Sequence, residues 1–445
     1  MQVANKKVVN GWAMYDWANS VYNLVITSTI FPAYYDAMTK HGSDKTVRFL
    51  GRTFENSALY NYVMAIGFLI VACMSPILSS IADYKGNKKS FLRFFCTMGS
   101  LACCGLFFFK GIDSIGIGLL ATLVALVGYW SSLVFYNSYL PEIAPPEQRD
   151  AVSAKGFSMG YIGSVLLQLI CFVFVFKPEW FGMQDDGTMP ARFSFLLVGV
   201  WWFCFAQYSL SRLPKGQPSA DRPQHNVFKN GFIELRKVLS EVSGQPLLKR
   251  YLFAFFFYNM GVQTVMLVAT LFGSNELNLA QEKLILTILI IQLVAILGAW
   301  GIAKISKRFG NITTLIGIVT VWIGLCIGAW YIAVMHDRNI EVEIYFYVLA
   351  SIVGLVMGGI QSLSRSTYSK LMPVTKDTTS YFSFFDVTEK IAIVIGMVSF
   401  GVITEFTKSM KHSVLAIMVF FIIGLLLLFF TLAKQRQLEK QPALS

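Results

Sequence analysis

Ionisable and amide side chains are scarce inside the apolar stretches of this sequence, and the charged ones fall into three groups. Asp16, Asn19 and Asn23 stand at i, i+3 and i+7, on one helical face, with Tyr15 and Tyr22 at its edges. Asp16 suits either of two tasks: accepting a proton or a substrate amine, or pairing with a neighbouring helix near the headgroups. Gln361, Arg365 and Tyr368 follow at i, i+4 and i+7. A guanidinium does not give up its proton, so Arg365 either receives an anion or carboxylate or closes an ion-pair gate. Its place near the end of its apolar segment favours the gate. Asp386, Glu389 and Lys390 share one side of a third segment, with Asp386 and Lys390 as an i,i+4 pair. Glu389 lies about nine residues into its segment, or ~13 Å at ~1.5 Å per residue. A carboxyl at that depth is either a proton-coupling acid or an acid neutralised by Lys390 or Arg365.

Uncharged polar residues keep helical spacing too. They are Tyr129, Ser132 and Tyr136; Tyr161, Ser164 and Gln168; Asn259 and Gln263; and Gln292. Each can contact a solute or make an interhelical hydrogen bond worth ~0.6 kcal/mol on average. Gly156, Gly160 and Gly163, and likewise Gly354 and Gly358, have the small-residue spacing of closely packed helices.

These residues need elements that hold them in lipid. Hydrophobic residues make up 55% of the 445 positions and charged ones 14%, too few to coat a soluble protein of this length. Apolar runs place twelve spans at about 11–36, 59–83, 90–109, 114–140, 153–176, 192–211, 250–273, 284–303, 311–335, 344–367, 380–404 and 412–433. The first run is too long for a signal-peptide core and is read as a retained span. Basic residues crowd alternate loops, notably 85–93, 212–250, 304–308 and 434–440, which sets both termini in the cytoplasm. The net charge of +12 therefore reflects topology, and no nucleic-acid partner is expected.

All seven cysteines fall in apolar segments, so neither disulfides nor a metal site is expected. The four histidines are assigned to loops. No phosphate-binding G-x-x-x-x-G-K-[ST] loop and no H-E-x-x-H occurs, so no enzymatic activity and no cofactor are expected. The longest inner connection, 212–249, opens with LPKGQPSADRPQ and continues as an amphipathic helix whose apolar stripe is Phe228, Phe232, Leu235, Leu239 and Val242. Such a helix lies on the inner leaflet or packs as a linker. It divides the chain into units 1–211, 212–249 and 250–445.

SSIADYKGN at 79–87 is echoed by AKISKRFGN at 303–311, and NSYLP at 137–141 by SKLMP at 369–373, about half a chain apart. SSIADYKGNKK resembles the loop pattern of the major facilitator superfamily. Asp83 and Gly86 match, Ser79 replaces the first glycine and Tyr84 an arginine, and Lys307 takes the acid's place in the second copy. GWAMYDWANSVYNLVITSTIFPAYY (11–35), YNSYLPEIAPPEQRDAVSAKGFSMGYIGS (136–164), and GGIQSLSRSTYSKLMP with FFDVTEK (358–390) are similar to the vacuole-effluxer branch of that superfamily, over all twelve spans.

The resemblance implies an all-α membrane protein of twelve helices in two pseudo-symmetric six-helix bundles, with Asp83 and Gly86 forming a conformational switch. It also implies that the first, fourth, seventh and tenth spans line a central path, which singles out Asn23, Tyr136, Asn259, Gln263 and Gln361. The expected activity is secondary transport of a small polar solute, amino acids first, with efflux and proton coupling as further expectations. The alternatives are a transporter-fold receptor or assembly protein and a lipid or drug exporter. The expected partners are a small-molecule substrate, the lipid bilayer and protons, and the expected state is a monomer in the plasma membrane.

Overall fold

An apolar segment in lipid must satisfy its own backbone hydrogen bonds, and a helix does so within the segment. The computed structural model describes residues 4–40, 46–183, 187–216 and 227–440, with side chains for all of these except 227–232. Among the described residues eleven helices are long and apolar enough to cross a membrane. They are Asn56–Lys85, Lys88–Phe108, Ile112–Ile143, Pro146–Phe176, Met189–Arg212, Pro246–Asn275, Gln281–Phe309, Asn311–Asp337, Glu343–Leu371, Thr378–Thr407 and Met410–Glu439. They form the second to twelfth spans. Most run a few residues beyond the ends expected from hydropathy, because polar residues continue the helix past the apolar run.

The first span is also helical but not uniform. It consists of Lys6–Val21, a π-helical stretch Tyr22–Thr29, and Ile30–Thr39. Pro32 supplies the reason, since a proline inside a helix has no N–H and crowds the carbonyl one turn back. The wider turn lets the Ile30 N–H reach the Val25 carbonyl. Side chains reinforce the stretch: Ser28 Oγ donates to Asn23 O at 2.9 Å and Thr29 Oγ1 to Leu24 O at 2.7 Å.

Two hydrophobic cores organise the spans. One joins Trp12, Tyr22, Phe95, Leu126 and Trp202 of the first six spans. The other joins Tyr251, Trp322, Phe346, Tyr368 and Phe421 of the last six, with Tyr161 of the fifth span reaching into it. The two bundles meet where the second span packs on the eleventh and the fifth on the eighth and tenth. Within the second bundle the eighth and tenth spans also approach closely, which needs small residues. A Cβ on Gly358 would stand 2.1 Å from the Ala295 carbonyl oxygen, and one on Gly354 2.5 Å from that of Ile291.

Three expectations change. Helix Val227–Gly244 packs against the second and eleventh spans, but its buried face is Val238 and Val242, while Leu239 is exposed. Phe228 and Phe232 of the expected stripe lie outside the described side chains. His336 and His412 sit in end turns of the ninth and twelfth spans rather than in loops, and His41 and His225 lie outside the described residues. A short antiparallel hairpin, Thr46–Phe49 with Arg52–Glu55, interrupts the otherwise helical chain between the first two spans.

Candidate functional site

Chain order places the ends of the fourth and tenth spans, the starts of the fifth and eleventh, and the linker helix at one end of the bundles, here the linker end. Two acidic clusters tie the bundles together there. Asp83, in the last turn of the second span, accepts hydrogen bonds from the Thr379 N–H at 3.2 Å, the Ser380 N–H at 2.7 Å and the Ser380 hydroxyl at 2.9 Å. A carboxylate thus sits on the positive end of the eleventh helix. Gly86 makes that placement possible. It ends the second span with φ +62°, a left-handed conformation that costs glycine little. Beside it Lys88 pairs with Glu142, which also accepts from Thr378 Oγ1 at 2.8 Å.

The pseudo-equivalent junction reverses the arrangement. Here the acid, Asp150, is carried by the first turn of the fifth span. It pairs with Lys370 at 2.5 Å and accepts from Asn311 at 2.8 Å and Ser306 at 3.1 Å. Lys307, which aligns with Asp83 in sequence, is exposed. Neither Asp150 nor Lys370 stood out in the sequence, because both fall among loop charges that topology alone explains.

Deeper in the bundle, Arg365 of the tenth span enters the first bundle. Its five N–H groups donate to Ser153 Oγ (2.9 Å), Ser153 O (2.9 Å), Asn137 Oδ1 (3.1 Å) and Asp16 Oδ2 (3.4 and 3.5 Å). The guanidinium carbon lies 4.7 Å from the Trp12 ring centre and 4.2 Å from that of Phe157. Tyr136 completes the cluster by donating to Asp16 Oδ2 at 2.7 Å while stacked on Trp12, with ring centres 4.5 Å apart. With every guanidinium N–H engaged, none is free for a solute carboxylate in this conformation, and the geometry is that of a closed ion-pair lock. Gly156 makes room for it: a Cβ there would stand 2.5 Å from Asp16 Oδ2 and 3.0 Å from Arg365 Nη2. The glycine spacing of the fifth span therefore accommodates the ion pair as well as close packing.

The third charged group gathers as its spacing implied. Lys390 lies 2.9 Å from Asp386 Oδ1 and 3.6 Å from Glu389 Oε2, and 3.6 Å from the centre of the Trp130 ring of the fourth span. Glu389 accepts a 2.8 Å hydrogen bond from Gln263 of the seventh span, which also lies 3.5 Å from Asn259 Oδ1. The Glu389 side chain is 16% exposed, against 1% for Lys390 and 8% for Asp386. It is more accessible than Asp16, Arg365, Asp386 or Lys390.

Other polar residues are distributed unevenly. Asn19 is buried, with its amide nitrogen unpartnered, as are those of Gln168 and Asn259. Gln168 Oε1 accepts from Thr29 at 2.7 Å, at the π-helical stretch. Asn23 is half-buried, and Gln361, also half-buried, reaches only Met266 Sδ, at 3.6 Å. Tyr368 stacks on Phe385 and donates to the Tyr381 carbonyl, all within the second bundle, so its spacing from Arg365 reflects packing. An apolar cavity of about 70 Å³ lies within the second bundle, lined by residues such as Thr287, Trp322, Phe346 and Val414, away from the ionisable groups.

Outside the spans, the linker helix is tied to the eleventh span by Lys237–Asp377 at 3.4 Å and by Tyr381 donating to Glu241 at 2.5 Å. Burial pushes the Glu234 carboxyl above its ordinary range, against the pull of Lys237.

The family described as "Vacuole effluxer Atg22 like" matches residues 4–441. The chain is 28% identical over 424 residues to the MFS-type transporter YxiO of Bacillus subtilis, covering 95% of this chain and 94% of that one. It is 24% identical to autophagy-related protein 22 of Eremothecium gossypii, covering 92% and 88%. Among solved structures it resembles the proton:xylose symporter XylE, at a TM-score of 0.68 and 11% identity, over 96% of this chain and 95% of that one. It also resembles the major facilitator transporter FucP, at 0.64 and 11%, over 96% and 97%. Twelve spans in two bundles and a match over nearly the whole length lead to one conclusion: the chain belongs to the Atg22-like vacuole-effluxer family, within the major facilitator transporters.

Proposed function

We propose that this protein is a secondary active transporter that moves a small polar solute, amino acids first, by alternating access, with Glu389 as the proton-coupling acid. The carrying observation is an imbalance of charge. Asp16 with Arg365 is neutral, whereas Asp386, Glu389 and Lys390 together hold one more acid than base. An unbalanced charge inside a bilayer is costly, so a proton or a cationic group completes the second cluster. Glu389, the most accessible member, is where that proton or a substrate amine enters. Gln263, Asn259, Asn23 and Gln361 supply hydrogen bonds along the path. Asn19, Gln168 and Tyr136 hold its walls.

In this reading Arg365–Asp16 is the inner lock. Asp83 with Gly86, and Asp150 with Lys370, latch the bundles below it. Residues 1–211 and 250–445 rock about the solute while 212–249 tethers them. The basic loops place the linker end in the cytoplasm, and the Bacillus relative supports a plasma-membrane location. The family's description as a vacuole effluxer supports efflux as the direction, and amino acids are the first solutes to try.

The test is flux in proteoliposomes. Amino-acid movement should follow an imposed pH gradient, and Glu389→Gln should abolish gradient-driven accumulation while leaving solute exchange at equilibrium. Absence of flux for every amino acid tried would remove that substrate class, and gradient-driven accumulation by Glu389→Gln would remove Glu389 as the coupling acid.

A further inference from the structure

Lys390 has three partners, and one of them belongs to the other bundle. Asp386 and Glu389 lie on its own helix, at 2.9 and 3.6 Å, whereas the Trp130 ring, 3.6 Å away, comes from the fourth span. Trp130 is held in turn by Phe68 of the second span, with ring centres 5.8 Å apart, and by Tyr129, at 5.2 Å. The ring is therefore fixed to the first bundle and the ammonium to the second. Any rocking that parts the bundles at the linker end pulls them apart.

We propose that Trp130 is a positioning residue that holds Lys390 between the bundles, so that closure at the linker end is linked to the proton on Glu389. The inference rests on Glu389 being the coupling acid. While Glu389 is ionised, Lys390 is drawn toward two carboxylates, and its pull on the ring competes with both. Once Glu389 takes a proton, Asp386 alone balances Lys390, and the ammonium settles against the ring, which favours the closed arrangement. When the bundles separate, the ring leaves, and an ionised Glu389 becomes the replacement partner for Lys390. Linkage then runs both ways: protonation favours closure, and closure favours protonation.

The other groups facing this cluster do not provide such a link. Ser75 of the second span lies beside Asp386. Gln263 and Tyr258 face Glu389 from the seventh span, with Asn259 behind Gln263, and Tyr129 faces it from the fourth. Among these groups no second cation comes near Glu389. A cation held on an indole face in a desolvated site gives a contact strong enough to shift a two-state balance.

The test uses the full chain in lipid nanodiscs, with spin labels at Glu147→Cys and Val374→Cys. Glu147, in the first turn of the fifth span, and Val374, between the tenth and eleventh spans, are exposed and lie on opposite bundles at the linker end. The exposed Cys73 and Cys204 are replaced by serine. Pulsed electron-spin distances are read at alkaline and acidic pH, and the part of the acid response absent from Glu389→Gln is the part assigned to Glu389. In the otherwise unaltered protein, acid should raise the short-distance population. Trp130→Leu should lower the closed-to-open ratio by roughly tenfold and remove the Glu389-dependent response, while Trp130→Phe should keep part of both. An undiminished response in Trp130→Leu would overturn the role of Trp130 and leave Glu389 as the coupling acid. No Glu389-dependent response in the unaltered protein would overturn both.

Discussion

Arg365 reaches from one bundle into the other. Its contacts with Ser153, Asn137, Asp16, Trp12 and Phe157 all lie in the first bundle, although the residue itself belongs to the second. Removing one partner of a buried ion pair leaves the other charge stranded, at a cost of about 3–5 kcal/mol. Arg365→Ala should therefore lower the thermal unfolding temperature strongly, and Asp16→Asn with Arg365→Gln should recover part of the loss by leaving no net charge. Arg365→Lys should rescue poorly, because an ammonium lacks both the five-donor fork and the flat face that Trp12 and Phe157 embrace. A lysine variant as stable as the parent would show that charge alone holds the lock.

At the scale of elements, the linker helix joins rather than separates the bundles. Val238 and Val242 bury its inner face, and Lys237 and Glu241 tie it to Asp377 and Tyr381 at the start of the eleventh span. Glu234 is held above its ordinary carboxyl range by burial. An acid raised in the docked state binds more protons there than when free, so docking strengthens as pH falls through that raised value toward the ordinary one and weakens as pH rises back through it. The labelling rate of Val238→Cys, divided by that of the exposed Ser240→Cys to remove the thiol's own pH dependence, should fall on acidification. Glu234→Gln should flatten the ratio. A flat ratio in the unaltered helix would mean that Glu234 does not govern docking.

At the scale of the whole molecule, two junctions close the linker end, and they are built differently. Asp83, in the last turn of the second span, caps the eleventh helix, whereas Asp150 is carried by the start of the fifth helix and draws its partners from Ser306, Asn311 and Lys370. A charge at a helix N-terminus contributes roughly 0.3–1 kcal/mol, and up to ~2 where partly buried. Asp83→Asn and Asp150→Asn should each shift the spin-label distances toward the open state. Their effects should be nearly additive, because the two junctions share no partner. A shift in neither variant would place the latch elsewhere.

Hydrophobic runs fix where a chain can cross lipid, because the backbone must be satisfied inside each run. Twelve spans and the clustering of Asp386, Glu389 and Lys390 on one helix were legible for that reason, since each depends on spacing along a single segment. The wider turn ahead of Pro32 has a local cause as well, though hydropathy does not register it. What pairs across bundles was not legible. Arg365 meets a carboxylate 349 positions away, Lys390 meets Trp130, and the acid of the second junction is Asp150 rather than the residue at the position of Lys307, in the last turn of the eighth span. Spacing says which residues share a helical face. Only the packing of one bundle against the other decides which face meets which.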